Sequence, residues 1–317
     1  METIATPWMW AGFFAFVIVA TAVDLKVLSA RGATRVSVKE ALGWSAVWVA
    51  LSLAFAGLLW WYLAGAAGAE IAREKTLAFL TGYLIEKSLS VDNIFVFLML
   101  FTYFAVPPEL QRRTLVYGVL GAIALRIIMI LIGAWLIAQF HWIIYVFGLF
   151  LLVTGAKMLF FSGDKPDLEK NPALRWMRGH LAVTPGFEGE RFWVLRDGVR
   201  TFTPLFLVLV MIAITDIVFA VDSIPAIFAI TGDPFIVMTS NIFAVLGLRA
   251  LYFVLADMAD RFHLLSYGLA FVLMFIGVKM LLIDFFKIPV FLALGVVVAL
   301  IAASIAASLV WRPKPID

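Results

Sequence analysis

Residues 86–93 read EKSLSVDN, and residues 216–223 read DIVFAVDS. In both stretches an acidic residue is followed six residues later by an aspartate, and the Val-Asp pair is identical. A second match lies further along each half, where GAKML at 155–159 corresponds to GVKML at 277–281. Agreement at both places indicates that the chain contains two copies of one unit.

Basic and aromatic residues between these motifs repeat in the same order. The corresponding pairs are Arg126 and Arg249, His141 and His263, Tyr145 and Tyr267, and Lys157 and Lys279. We therefore expect the two copies to fold alike.

The composition excludes most classes of soluble protein. The chain has 317 residues, of which 64% are hydrophobic and 14% charged, and its mean hydropathy is +1.05. Soluble chains carry about 25% charged residues, so a polytopic membrane protein is expected. Cysteine is absent, which excludes disulfides, zinc-thiolate sites and thiol catalysis. The N-terminus lacks the basic region and cleavage site of a removable signal peptide.

Nine stretches are apolar over the roughly 20 residues that a membrane-spanning helix needs. The predicted fold is thus an all-α polytopic membrane protein with about nine transmembrane helices. The stretches are 8–28, 41–65, 75–104, 114–138, 142–161, 204–230, 235–256, 264–286 and 288–311.

The distribution of Lys and Arg predicts the orientation. If the N-terminus is outside, 16 of the 24 lie in cytoplasmic connections or the C-terminal tail, 3 lie outside and 5 lie within spans. Cytoplasmic loops carry an excess of positive charge, so this asymmetry places the C-terminus in the cytoplasm.

The chain divides into five parts. We expect two N-terminal helices, a first three-helix repeat, a cytoplasmic linker, a second repeat, and a final helix with its tail. Their bounds are 1–70, 71–161, 162–203, 204–286 and 287–317. In the linker, RFWVLRDGVRTFT at 191–203 has apolar-rich arms around Asp-Gly, which predicts a short β-hairpin. The linker is either a simple connection or a regulatory element.

Each repeat contains three spans, an odd number, so the second copy crosses the membrane in the opposite direction. The copies, spans 3–5 and 6–8, are therefore inverted. Inverted repeats are typical of secondary transporters, whose substrate site lies near the midplane where the copies meet.

Four acidic residues fall in the middle of predicted spans: Glu86 and Asp92 in span 3, and Asp216 and Asp222 in span 6. Each costs about 2.5–3.5 kcal/mol at the bilayer centre on insertion scales. Either a cation compensates this cost, or the groups are protonated.

Residues six apart on a continuous helix point in different directions and differ by about 9 Å in height. Pro225 would break span 6, free the carbonyl of Val221 and let the acids converge. The predicted ligands are Glu86, Asp92, Asn93, Asp216, Asp222 and Ser223. Such an all-oxygen set favours Mn²⁺, Mg²⁺ or Ca²⁺ over Zn²⁺ or Cu⁺.

Basic residues within the spans offer another explanation, because they could neutralise the acids as intramembrane ion pairs. This supporting or gating set is Lys87, Arg126, Lys157, Arg249 and Lys279. Asp24, near the inner end of span 1, is either a site residue or an interfacial charge. His141 and His263 are either helix-end residues or part of a proton path.

The motifs EKSLSVDNIFVF, TDIVFAVDSIPA, GAKML and GVKML resemble those of the TerC family of bacterial integral membrane proteins. The length and the insert ending in RDGVRTFTPLFLVLV resemble its Alx-like branch. The resemblance implies an inner-membrane manganese exporter, linked to alkaline pH, in which Glu86, Asp92, Asp216 and Asp222 carry the ion.

Two other functions remain open: a non-transporting scaffold that binds or donates metal, and a small-solute exporter. Four midplane carboxylates argue against the exporter of small solutes. The chain has no G-x-x-x-x-G-K-[ST] loop, so direct ATP use and enzyme activity are not expected. The expected partners are a divalent metal ion and the lipid bilayer, with no nucleic acid; membrane-protein partners stay open.

Overall fold

The computed structural model describes residues 3–31, 37–140, 142–160, 171–196, 198–256, 264–286 and 288–311. The described part is almost entirely helical. Its helices are α1 (Pro7–Arg31), α2 (Val38–Ala66), α3 (Ala69–Tyr103), α4 (Pro108–Gln139), α5 (Ile143–Phe160), α6 (Pro172–His180), α7 (Pro204–Phe228), α8 (Pro234–Leu246), α9 (Leu248–Ala256), α10 (Leu265–Leu281) and α11 (Val290–Val310). Its strands are β1 (Trp193–Arg196) and β2 (Val199–Phe202).

Each predicted span corresponds to one helix, except that α8 and α9 together occupy span 7. Five described helices are long and apolar enough to cross a membrane: α2, α4, α5, α7 and α11. The bent pair α8–α9 makes a sixth if it counts as one span. Residues Pro7–Val23 of α1, and α10, form shorter apolar helices, while the 35-residue α3 carries buried charge. These helices define a polytopic membrane protein, and the count of nine spans stays a prediction.

Large apolar side chains cover the outside of the helical bundle, whereas several charged groups lie inside it. Leu58, Val153 and Leu309 are exposed, but Glu86 and Arg126 are buried. This distribution is the reverse of that in a soluble protein. It fits a protein surrounded by lipid, where the helices satisfy their own backbone groups.

The helix expected to break at Pro225 does not break there. Helix α7 continues through Pro225 and ends three residues later, at Phe228. The prediction was wrong because Pro225 lies in the last turn of the helix, where one missing N–H removes little of the hydrogen-bond ladder. The described break lies instead between α8 and α9, which meet at Gly247 with a bend of 43°.

Contacts between helices establish their relative directions. Helices α1, α3 and α8 run one way, and α2, α4 and α7 run the other; α5 and α10 are antiparallel to each other, as are α10 and α11. Two contacts at different heights fix the direction of each pair of helices. For α1, α2 and α3 against α8 they are Trp10 with Phe235, Phe16 with Phe243, Phe55 with Phe235, Trp48 with Gly247, Gly82 with Ser240 and Lys87 with Ala244. For the other pairs they are Gly82 with Ile227, Glu86 and Asp216 with the same Arg126, Gly118 with Ile212, Gly133 with Phe228, Gly148 with Met280, Gly155 with Ala270, Leu264 with Ser308 and Gly268 with Ser304.

The segment between α5 and α7 contains a two-stranded antiparallel hairpin where the sequence predicts one. Trp193 pairs with Phe202 and Arg196 with Val199, so the turn has two residues, and Gly198 has a φ of 76°. Positive φ suits glycine, which has no Cβ. Arg113 at the start of α4 pairs with Glu190 at 2.6 Å, which joins this segment to the bundle.

Candidate metal centre

A buried ion-pair cluster lies where the first helix of each repeat meets the second helix of the other. Arg126 of α4 contacts Glu86 of α3 through Nη1 and Oε1. It also binds Asp216 of α7 through two bonds, Nη2 to Oδ1 at 2.9 Å and Nε to Oδ2 at 3.1 Å. Glu86 is 0% exposed, and Asp216 and Arg126 are each 1% exposed. One guanidinium therefore bridges acids from both repeats.

Asn241 of α8 completes this cluster, and sequence reasoning missed it. Its Oδ1 accepts a hydrogen bond from Arg126 Nη1 at 3.1 Å, and its Nδ2 donates to Glu86 Oε2 at 2.9 Å. The repeat places Asn241 opposite Gly118, eight residues before each Leu-Arg arginine. Because Gly118 has no side chain, the repeat itself carried no signal for Asn241. A polar residue within an apolar span was the available clue.

The electrostatics of the cluster are nearly balanced. Two carboxylates face the guanidinium of Arg126, and the ammonium of Lys87 adds a second positive charge beside Glu86. Charge-assisted bidentate bonds of this kind are strong and hold the two groups in a defined geometry. Removing one partner of such a buried pair costs about 3–5 kcal/mol. In this conformation Glu86 and Asp216 are therefore neutralised by an intramembrane ion pair with Arg126.

Several predicted ligand residues have buried oxygens without a hydrogen-bond partner. These atoms are Asn93 Oδ1, Asp222 Oδ1 and Ser223 Oγ, and Ser90 Oγ on α3 belongs with them. Buried polar atoms are normally hydrogen-bonded, so each unpaired one requires an explanation. Oxygen donors of this kind suit a hard cation. The donors fit the predicted ion in type.

Asp222 does not join the Arg126 cluster. It lies six residues after Asp216 on an unbroken helix, so it points in another direction, and its side chain faces Thr154 of α5. Ser223 lies seven residues after Asp216 and Asn93 seven after Glu86, so each shares a helix face with its acid. The structure thus brings together Glu86 and Asp216 but separates Asp222 from them.

The remaining predicted residues differ in their surroundings. Arg249, the counterpart of Arg126, lies with Glu40 and Arg112 around a small pocket away from the acid cluster. Lys157 is exposed, whereas its counterpart Lys279 is buried. Corresponding basic residues of the two repeats therefore lie in different surroundings.

Lys87 has a defined partner at the break in span 7. Its Nζ donates to the carbonyl oxygen of Ala244, in the last turn of α8, at 3.1 Å. A helix C-terminus attracts positive charge because its last carbonyls have no intrahelical donor. Lys87 thus links α3 to this break.

The structure does not describe four of the predicted residues, or does not describe their side chains. His141 and His263 lie outside the described residues, and Asp24 and Asp92 lie on α1 and α3 with side chains outside the described set. Among the residues that were described, no group of three or more His, Cys, Asp or Glu side chains could hold a metal ion. The predicted six-ligand set therefore stays a prediction.

A buried charged cluster inside a bundle of apolar helices defines the class: a multi-pass membrane protein with an intramembrane polar site. Residues 71–315 match the model of the Integral membrane protein TerC family, and the chain belongs to that family.

Curated relatives cover nearly the whole chain. The protein named "Putative membrane-bound redox modulator Alx" from Salmonella typhi is 56% identical over 305 residues, which is 96% of this chain and 95% of that protein. A protein of the same name from Photorhabdus laumondii is 50% identical over 99% of this chain and 98% of its own. A membrane protein from Myxococcus xanthus is 48% identical over 98% and 95%. No solved structure matches. The chain is thus a multi-pass bacterial membrane protein.

Proposed function

We propose that this protein is an inner-membrane secondary transporter that exports Mn²⁺ from the cytoplasm through the acidic site between two inverted repeats. The observation that carries this proposal is the meeting of Glu86 and Asp216, from the first helix of each repeat, at one buried position. Buried intramembrane acids are rare and mark ion pathways. The oxygens that meet there, from Glu86, Asp216 and Asn241, favour Mn²⁺, Ca²⁺ or Mg²⁺ over softer metals.

The helix directions support nine spans. Six helices already alternate along the chain in the order that nine crossings require. Contacts between connections agree: Thr3 and Ile4 at the N-terminus bind Asp233 in the α7–α8 turn, and both places are expected outside. Arg113 and Glu190, which form an ion pair, are both expected in the cytoplasm.

The interface between α5 and α10 supports the inverted repeat. A Cβ on Gly155 would lie 2.7 Å from the carbonyl oxygen of Ala270, and a Cβ on Gly277 would lie 2.7 Å from that of Gly148. In the repeat, Gly155 corresponds to Gly277 and Gly148 to Ala270. Exchanging the copies therefore converts one contact into the other, as a pseudo-two-fold axis between antiparallel helices requires.

Exporting a divalent cation against a membrane potential needs an energy source. Moving two charges outward against about 100 mV costs roughly 4.6 kcal/mol before any concentration difference. Carboxylates that release metal when protonated suit exchange with protons. We propose proton exchange as the coupling.

The direct test is metal uptake into inside-out vesicles, comparing Mn²⁺, Ca²⁺ and Mg²⁺, with and without a pH gradient. Asp222→Asn and Asp92→Asn should abolish Mn²⁺ uptake while the protein stays in the membrane, because each removes a charged oxygen. Asp284→Asn is the matched control, since Asp284 binds Tyr145 at an exposed helix end. If Asp222→Asn and Asp92→Asn both transport like the wild type, these acids are structural.

One observation favours a second function, a non-transporting scaffold that binds or donates metal. Arg126 binds the carboxylates of both Glu86 and Asp216, as it would in a static structural ion pair. The name of the curated relatives refers to redox modulation. Since this chain has no cysteine, such a role here would act through bound metal and not through thiols. A scaffold predicts Mn²⁺ binding without uptake in the vesicle experiment.

A further inference from the structure

The atoms around Arg126 form a cation-binding arrangement. Four oxygens converge on the guanidinium: Oε1 of Glu86, both carboxylate oxygens of Asp216, and Oδ1 of Asn241. Three of these contacts measure 2.9 to 3.1 Å. They come from α3, α7 and α8, so three helices supply acceptors to one positive group. The same oxygens would suit a hard divalent cation.

We propose that the Arg126 guanidinium is a tethered cation that occupies the ion position in the metal-free protein. The transported divalent cation binds by displacing it from Glu86 and Asp216, and Asn241 Oδ1 is a further oxygen ligand. This inference rests on the proposed function. It adds Arg126 as the group that competes with the metal and Asn241 as a metal ligand. The carboxylates then never face each other without a positive charge between them.

The choice of arginine supports competition between cations. Arginine stays protonated in proteins, so the acids cannot be released by its deprotonation. While the acids are ionised, only movement of the Arg126 side chain, or its replacement by another cation, frees Glu86 and Asp216. In this state both oxygens of Glu86 and of Asp216 are hydrogen-bonded, whereas Asn93 Oδ1, Asp222 Oδ1 and Ser223 Oγ are not.

Acceptors for the displaced guanidinium lie on the same helix faces. Asn93 follows Glu86 by seven residues and Ser223 follows Asp216 by seven, which returns each to the face of its acid about 10.5 Å along the axis. Asn93 Oδ1 and Ser223 Oγ are buried and unpaired. Because α3 and α7 run in opposite directions, Asn93 and Ser223 lie on opposite sides of the acid cluster, so the displaced guanidinium has one buried acceptor on each side.

The test uses the purified full chain in detergent and Mn²⁺ alone as the probe. Arg126→Gln should unfold at a lower temperature than the wild type without metal, because two buried carboxylates lose their partner. Mn²⁺ should raise its melting temperature more than that of the wild type, and calorimetry should show binding tighter by roughly tenfold or more. Arg249→Gln is the matched control and should show no such gain.

Two further variants keep the test decisive if Arg126→Gln folds poorly. Asn241→Leu removes the Oδ1 ligand at similar volume and should weaken Mn²⁺ binding by roughly tenfold. Adding Glu86→Gln to Arg126→Gln should abolish the rescue by Mn²⁺. The proposal is overturned if Mn²⁺ stabilises Arg126→Gln no more than the wild type, or if Asn241→Leu binds Mn²⁺ unchanged.

Failure of this inference is distinguishable from failure of the proposed function. If the wild type takes up Mn²⁺ in vesicles but Mn²⁺ does not stabilise Arg126→Gln, the protein is an exporter and Arg126 is not a competitor of the metal. If the wild type neither binds nor takes up Mn²⁺, both the export function and the role of Arg126 as a competitor are wrong.

Discussion

The ammonium of Lys87 fills a space between α8 and α9 that exists because residue 247 is glycine. Its Nζ lies 2.6 Å from the position that a Cβ of Gly247 would occupy. From there it donates to the carbonyl oxygen of Ala244, beside the 43° bend between α8 and α9. The first helix of one repeat thus holds the broken second helix of the other by one charged contact.

Gly247→Ala should expel the Lys87 ammonium from this position. Loss of a hydrogen bond to a charged group lowers the free energy of unfolding by about 1.5–3 kcal/mol. We also expect Mn²⁺ export to fall, because the break is then no longer fixed to α3. Thermal unfolding and vesicle uptake measure the two effects.

Gly121→Ala is the control for that substitution, because a Cβ added at this position of α4 would meet no atom of a neighbouring helix within 4 Å. It should be neutral, or stabilising by up to about 1 kcal/mol through helix propensity. Equal behaviour of the two alanine variants would show that the Lys87 contact has no energetic role.

Alanine at Gly155 or at Gly277 should separate α5 from α10. At both positions the new Cβ meets backbone atoms of the other helix at 2.7 Å, and backbone cannot rotate away as a side chain can. We expect each variant to lose about 1–3 kcal/mol of unfolding free energy, as measured by chemical denaturation in detergent. Similar losses are expected because the two contacts are related by the repeat.

Gly57→Ala on α2 serves as the control here, since its Cβ would meet nothing within 4 Å. A large loss for one interface glycine and none for the other would contradict the two-fold relation between the copies.

Mn²⁺ affinity should increase with pH. Metal binding needs ionised carboxylates, so protons and Mn²⁺ compete for the acids of the site and binding releases protons. As pH rises, fewer acids are protonated and the competition weakens. Calorimetry between about pH 6 and pH 8.5, in buffers of different ionisation enthalpy, measures affinity and proton release together. Constant affinity without proton release would rule out proton exchange at this site.

A cysteine placed on α6 should be inaccessible from outside intact cells. Arg175 is exposed, and the chain has no native cysteine, so Arg175→Cys gives one labelling site. The charge asymmetry of the loops predicts that this segment is cytoplasmic. Ala67→Cys, in the α2–α3 turn, should label from outside and confirms that the reagent works. Labelling of Arg175→Cys in intact cells would reverse the predicted orientation.

The sequence alone determined the class of protein and located the acids within its apolar helices. Apolar stretches and the lack of charge predicted a polytopic membrane protein, because lipid accepts only helices or barrels with satisfied backbones. The repeated motifs identified Glu86 and Asp216 as a related pair, and the Asp-Gly turn predicted the hairpin. These features depend on local composition and spacing, which a single chain displays directly.

Only the tertiary structure decided which groups meet. The bonds of Arg126 to Glu86, Asp216 and Asn241 span 40, 90 and 115 residues of sequence. Arg126 and Arg249 occupy corresponding positions in the repeat. Arg126 nevertheless lies between Glu86 and Asp216, whereas Arg249 lines a small pocket elsewhere. Helical periodicity specifies the face on which a residue lies, but not which neighbouring helix that face contacts. Packing makes that choice, and it set the position of Arg126 between the acids of the two repeats.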